Sequence, residues 1–389
     1  MQFTCPICGN SDLASIGQRN GKPYCRKCIV FKGETVQSIH LHPKDARIHL
    51  GYSLSIEQSD LSERLIANYK NGIDSLVNAV CGSGKTEICL GLIQHCIQSG
   101  LKVGFAVPRR SVCYELYTRF KNIFKNNKVV AVYGGHHKEL IGDIVCLTTH
   151  QLYRYNKYFD LLIMDEIDAF PYKGDEVLQR MFENTICGHY VLLSATPSKQ
   201  LLNEFSKPGK EVLSLFARFH HHKLPVPILK LGNYLKIYYI LLKQVRSFLK
   251  ENKQIFIFVP TINDSIKTAR LLNTFFHKGT HINSKSEDRE GIIEVFREKK
   301  MMYLVSTAVL ERGITVKDLQ VIVFKADHPI YDEASLIQIA GRAGRKKDAP
   351  DGEVIFIAER KTIYMERAIS EINAANEKLQ NMLQGNQNI

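Results

Sequence analysis

Residues 79–87 read AVCGSGKTE, directly after the apolar stretch Ser75–Ala79. Gly82 and Gly84 carry no Cβ, so the backbone flanking Ser83 can curl tightly and come close to a ligand. The curled N–H groups converge on one spot, and the helix that follows adds positive potential there. Lys85 supplies a point charge for β and γ phosphates, and Thr86 a hydroxyl for Mg²⁺. These residue types in this order make a phosphate cradle for ATP or GTP. The general pattern has a glycine where this chain has Ala79. In isolation, a solvated Gly/Ser turn beside an incidental lysine would read the same way.

Further along, the apolar run Phe159–Met164 ends in Asp165-Glu166-Ile167-Asp168. Carboxylates at the C-terminal end of a parallel strand lie at the ligand edge of the sheet. Asp165 is placed to hold the Mg²⁺ that Thr86 also holds, and Glu166 to orient and deprotonate an attacking water. Ser194-Ala195-Thr196 ends the next apolar run. Later, residues 338–345 read QIAGRAGR, with Arg342 and Arg345 three apart on one helical face. Guanidinium is always charged and forks onto phosphate oxygens. If two lobes close over ATP, both can act as arginine fingers on the γ-phosphate; the alternative is a basic loop on nucleic acid.

Cys5-x-x-Cys8 and Cys25-x-x-Cys28 have zinc spacing. Each pair can aim two thiolates at one ion, and Asn20-Gly21 supplies a hairpin turn between the pairs. So short a segment cannot bury a core of its own, so the metal would supply its folding energy. Two reduced redox pairs are the other reading of this spacing. Of the ten cysteines, the remaining six stand singly among apolar or P-loop residues, as small buried hydrophobes do. That usage points to a cytoplasmic protein.

The chain has 389 residues and a net charge of +13, which favours polyanionic partners, nucleic acid first. Its hydrophobic fraction of 44 % excludes a disordered chain. No apolar run is long enough for a membrane span, and MQFTCPICGN has no secretory features.

What must position these groups is an alternation of strands and helices. Strand candidates are Ser75–Val80, Lys102–Pro108, Val129–Tyr133, Asp143–Thr148, Phe159–Met164 and Tyr190–Ser194, then Gln254–Val259, Met302–Ser306, Leu319–Lys325 and Glu353–Ala358. Helical patterns lie between most of them, which implies an α/β protein with parallel sheets. The expected organisation is a four-cysteine ribbon at 1–33, a connector at 34–54, a first lobe at 55–204, a linker at 205–233 and a second lobe at 234–389. A stripe at Met365, Ile369, Ile372, Asn376, Leu379 and Leu383 predicts a C-terminal helix packed on the second lobe; a partner-binding helix is the alternative.

The ordered set AVCGSGKTE, DEID, SAT and QIAGRAGR resembles a superfamily 2 helicase core with two RecA-like lobes. With DEIDAFPY, STAVLERGIT and the N-terminal four-cysteine ribbon, the chain resembles the ComFA family of competence proteins from transforming Gram-positive bacteria. The PriA helicase shares a QxAGRAGR motif, but its zinc sites lie inside the core. The resemblance implies that Gln58 reads adenine and that Gly313, in Glu311-Arg312-Gly313, links strand contacts to the nucleotide. It further implies nucleic-acid backbone contacts at Arg109, Arg110, Gly134, Gly135 and Thr149 in the first lobe, and at Thr261 and Thr307 in the second.

The activity this implies is an ATP- and Mg²⁺-dependent motor on single-stranded DNA that drives DNA uptake during natural transformation. The partners it implies are a ComFC-like phosphoribosyltransferase-type protein and other competence proteins, which could bring a cytoplasmic chain to the inner face of the membrane. Two alternatives stay open at this point: a PriA-like or RNA helicase that separates duplexes, and an ATP-gated clamp that grips without moving.

Overall fold

The computed structural model describes residues 3–31, 33–80, 82–167, 175–215, 222–283, 285–307, 316–344 and 352–385, without the side chains of 290 and 382–385. The chain divides into two compact units, Met1–Ala79 with Gly84–Leu215, and Phe216–Ile389 with Val80–Ser83.

The first unit opens with a hairpin, β1 (Ile16–Arg19) and β2 (Lys22–Cys25), joined antiparallel. Asn20 and Gly21 both take positive φ, 51° and 72°, the backbone a tight hairpin turn requires. The unit's main sheet holds β3 (Asp74–Ala79), β4 (Val103–Val107), β5 (Val129–Val132), β6 (Ile144–Thr148), β7 (Phe159–Asp165), β8 (Ile186–Ser194) and β9 (Lys210–Leu215). Their order is β5-β6-β4-β7-β8-β3-β9, and every pairing is parallel. Strands covered by helices on both faces need continuous apolar runs. Accordingly Leu161, Leu162, Ile163 and Met164 in the sheet's middle are all 0 % exposed, worth about 1.5–3 kcal/mol each.

The ribbon is docked on this unit rather than strung ahead of it. Cys5, Cys8, Cys25 and Cys28 share a buried cluster with Met181 and Phe182 of helix 176–185. The Asn184 amide donates to the Ile7 carbonyl at 3.2 Å, and the Phe31 ring lies 5.7 Å from that of Tyr153. The connector is also held to the lobe. Val36 bridges to Tyr155, Lys44 pairs with Asp143 at 2.7 Å, and Gln94 donates to the Ala46 carbonyl at 2.7 Å.

In the second unit, β10 (Ile228–Leu231), β11 (Gln254–Val259), β12 (Gly279–Ile282), β13 (Tyr303–Thr307), β14 (Leu319–Phe324) and β15 (Val354–Ala358) form one parallel sheet, ordered β10-β15-β14-β11-β13-β12. Alternation along β11 splits its core. Ile255, Ile257 and Val259 pack with Leu241, Val245 and Phe248 of helix 234–250. Phe256 and Phe258 join the opposite cluster with Leu336 and Met365.

The expected linker at 205–233 is thus shorter than its composition suggested. Its residues 210–215 are β9 and its residues 228–231 are β10, an edge strand of each sheet. Pro208 falls just before β9, and Pro225 and Pro227 fall between the two strands.

Helix 363–385 packs its apolar stripe on the second lobe. Met365, Ile372, Asn376 and Leu379 are 0–8 % exposed and Ile369 is packed partly buried, while the side chain of Leu383 lies outside the described residues. Asn376 clamps the chain ahead of β10: its Oδ1 accepts from the Leu224 N–H at 2.7 Å, and its Nδ2 donates to the Leu224 carbonyl at 2.9 Å. Asn376→Ala would leave both buried backbone groups unpaired. The expected loss is about 1–3 kcal/mol of unfolding free energy, read as a lower urea midpoint at unchanged slope. An unshifted midpoint would mean that water replaces the clamp.

Candidate nucleotide and nucleic-acid site

A parallel sheet sends all its strand ends to one edge. In the first unit β3 leads to the P-loop, β4 to Arg109 and Arg110, β5 to Gly134 and Gly135, β6 to Thr149, β7 to Asp165 and Glu166, and β8 to Ser194. Topology alone therefore gathers six separated motifs along one edge, the place where open α/β sheets bind ligands.

After Ala79, which is fully buried, the loop turns through Gly82 and Gly84 at φ 83° and 82°. This is left-handed backbone that favours glycine. The Gln58 amide nitrogen packs against Gly84, where a Cβ would stand 2.3 Å from it and force the amide to shift. Ser83 is fully buried, and Lys85 Nζ donates to the Ala79 carbonyl at 2.9 Å. The lysine is thus held across the loop mouth by the residue that replaces the pattern's first glycine.

Gln58 is 4 % exposed and forms a capping box with Ser55: its Oε1 accepts from the Ser55 N–H at 3.0 Å, and its own N–H donates to Ser55 Oγ at 3.2 Å. The carbonyl end starts the helix and the amide nitrogen faces the P-loop.

Asp165 ends β7, and the Glu166 N–H donates to its Oδ1 at 2.8 Å. Glu166 has φ 57°, a strained backbone for a residue with a side chain and of a kind that concentrates at functional sites. Burial pushes the Cys89 thiol up, and the charges of Asp165 and Glu87 push it further. Asp165 ends β7 and the P-loop follows β3, with only β8 between the two strands, so the Asp165 carboxylate and Thr86 follow strand ends at one sheet edge. This fits Mg²⁺, a hard ion that prefers oxygen ligands; Thr86 and Asp165 are the residues that would hold it.

A group unmarked in the sequence lies beside them. Tyr52 donates to Glu87 Oε1 at 2.9 Å, Arg119 donates to the Tyr52 hydroxyl at 3.2 Å, and Arg119 pairs with Glu87. Burial and the Glu87 charge raise the Tyr52 phenol, which keeps it a donor. Glu87 directly follows Thr86, which was the available signal; Arg119 had none.

Among the expected nucleic-acid contacts, Arg110 and Gly134 come together. A Cβ at Gly134 would fall 2.4 Å from Arg110 Nη2. Arg109 is the N-cap residue of helix 110–123, and Gly135 is exposed. Thr149 is only 1 % exposed, so its side chain is not presented at this edge. Beside it, burial holds His150 below the ordinary imidazole range; Asp175 opposes this and the Arg110 charge adds to it.

In the second unit Thr261 follows β11 and Thr307 ends β13, again at one sheet edge. The Thr261 hydroxyl is engaged in capping: it accepts from the Asp264 N–H at 3.0 Å. Thr307 is 6 % exposed. Helix 333–340 ends with Gly341 as its cap, so Arg342 lies past the helix rather than on it, 7 % exposed. Gly313, Arg345 and Asp168 lie outside the described residues.

The four ribbon thiols are all buried, and their sulfurs all lie within 4.8 Å of one another. Cys8 and Cys25 are 3.9 Å apart, near the edge of about 3.8 Å that a tetrahedron with 2.3 Å Zn–S bonds would have. Burial and the neighbouring sulfurs drive the Cys28 thiol far up. Burial also pushes Cys25 up, but N–H groups of Lys27 and Cys28 outweigh it and bring that thiol down. Four crowded sulfurs with N–H donors aimed at one of them fit a divalent soft metal.

Residues 59–205 match the DEAD/DEAH box helicase family, and residues 238–347 match the helicase conserved C-terminal domain. The chain is similar to competence protein ComFA of Bacillus subtilis (strain 168), 32 % identical over 97 % of this chain and 86 % of that protein. It is also similar to competence protein ComFA of Streptococcus pneumoniae (strain ATCC BAA-255 / R6), 30 % identical over 96 % of this chain and 90 % of that one. Among solved structures, S. cerevisiae Dbp5 bound to RNA and ADP BeF3 shares the fold at a TM-score of 0.64 and 16 % identity, covering 83 % of this chain and 92 % of that one.

Proposed function

Because this chain belongs to the ComFA family of competence proteins, built on the superfamily 2 helicase core, we propose that its ATP hydrolysis moves single-stranded DNA during uptake in natural transformation. The observation that carries the reading is the gathering of the phosphate cradle, the carboxylates and the Arg110–Gly134 pair on a single sheet edge.

In this reading Lys85 and the N–H groups flanking Ser83 hold the β and γ phosphates of ATP, and Gln58 borders the adenine. Mg²⁺, when bound by Thr86 and Asp165, offsets the phosphate charge. Glu166 takes a proton from the attacking water, and Arg342 and Arg345 meet the charge that develops on the γ-phosphate. Gly313 relays the nucleotide state. Arg109, Arg110, Gly134, Gly135, Thr149, Thr261 and Thr307 border the strand; the buried Thr149 and Thr307 contribute backbone rather than hydroxyl. The ribbon holds zinc on Cys5, Cys8, Cys25 and Cys28. A ComFC-like protein and other competence proteins are the proposed partners; among the described residues no helix is long and apolar enough to cross a membrane.

The test is the ATPase rate without polymer and with single-stranded DNA, duplex DNA or RNA. Single-stranded DNA should stimulate most and with little sequence preference, because backbone contacts read no bases. Apparent affinity should fall with salt at a log–log slope of about −0.7 per phosphate neutralised. A flat salt response would remove phosphate tracking. Stimulation by RNA alone would favour an RNA helicase.

A further inference from the structure

We propose that the Tyr133–His136 turn is a stacking platform for an unpaired DNA base, set beside Arg110 at the end of β5. The proposal rests on the nucleic-acid reading of this edge.

The chain reverses at Gly134-Gly135 immediately beyond β5. Tyr133 and His136 exchange both backbone hydrogen bonds: the Tyr133 N–H donates to the His136 carbonyl at 2.9 Å, and the His136 N–H to the Tyr133 carbonyl at 2.8 Å. Gly135 takes φ 87°, which closes the turn. A reciprocally bonded pair puts both side chains on one face, and here the rings stack with centroids 4.9 Å apart and planes 14° from parallel.

Tyr133 is half-buried and His136 exposed, so the outer end of the stack is an imidazole face open to solvent. The imidazole is already stacked on Tyr133 without a ligand, and such preorganisation lowers the entropy lost on binding. In the same turn the Arg110 guanidinium lies against Gly134, close enough that a Cβ there would be 2.8 Å from its Cζ. His137 and Lys138 extend the exposed rim.

A ring face on the turn and a guanidinium fork packed against it match the two parts of a nucleotide, base and phosphate. Every base has a π face, so stacking reads no sequence. Bases inside a duplex already stack on their neighbours, so only an unpaired one can lie on the ring. The platform supplies what phosphate contacts lack, a preference for single strands.

The test measures binding of the full chain to two equally long strands, one of mixed bases and one abasic. The parent should prefer the strand with bases by roughly tenfold, the scale of one base–aromatic stack. His136→Ala should remove most of that preference and His136→Phe should keep it. Arg110→Ala should weaken both strands alike and lessen the salt dependence. If His136→Ala keeps the parent's preference, or His136→Phe behaves as His136→Ala, the platform is wrong while the motor reading stands. If the parent binds neither strand, both fail.

Discussion

Glu166→Gln is expected to bind ATP as the parent does and to hydrolyse it about 10²–10⁴-fold more slowly, the range that a positioned general base contributes. Glutamine keeps the size and shape of the side chain and removes only its capacity to take a proton. The left-handed turn at φ 57° is braced from the backbone, by the Glu166 N–H on Asp165 Oδ1. Asp165 itself stays in place at the end of β7. Fluorescent-nucleotide titration and steady-state phosphate release, both with saturating single-stranded DNA, separate binding from turnover. A variant that turns over at the parental rate would assign water activation to another group.

The central strands of both sheets were legible because parallel strands covered on both faces must be continuous apolar runs. Three edge strands were not: Lys210–Leu215, Ile228–Leu231 and Gly279–Ile282. Each has one neighbour and several half-buried or exposed positions, so little apolar content is demanded of it. Val129–Val132 is also an edge, yet it buries most of its residues and could be read. The P-loop and the Asp165-Glu166 pair were legible because phosphate chemistry fixes residue types at short spacing. Tyr52, Glu87 and Arg119 meet across separations of 32 to 67 residues, which no local pattern records. Thr261 carried two signals at once. A threonine three residues before Asp264 is an N-cap pattern, and its hydroxyl is used as one.

With the proposed zinc on the four thiols, at one ion per chain, Cys25→Ser should lower it to a trace and release the ribbon to proteolysis. Apparent binding energies for structural zinc are on the order of 10 kcal/mol, more than a short hairpin can recover from packing. The effect should extend beyond the ribbon. The four thiols share a continuous buried cluster with Met181, Phe182 and Ile186, so their departure wets a face of the first unit. Its melting temperature should fall while its far-ultraviolet dichroism persists. Elemental analysis of protein purified without added metal, with limited proteolysis, tests this. Zinc-free protein that resists cleavage across residues 5–28 would sink the claim.

The strand order also bears on synthesis. The first sheet has all its strands once Leu215 has left the ribosome. In the second, β10 is the earliest strand made, yet its sheet neighbour β15 is the last. β10 must therefore wait, unpaired, while the intervening strands and helices are translated, and β14 keeps an open side until the same strand is made. Such long-range parallel pairing is slow to form and exposes apolar edges meanwhile. During translation the first sheet can be complete while the second is still open, so chaperone demand should fall on the second half of the chain.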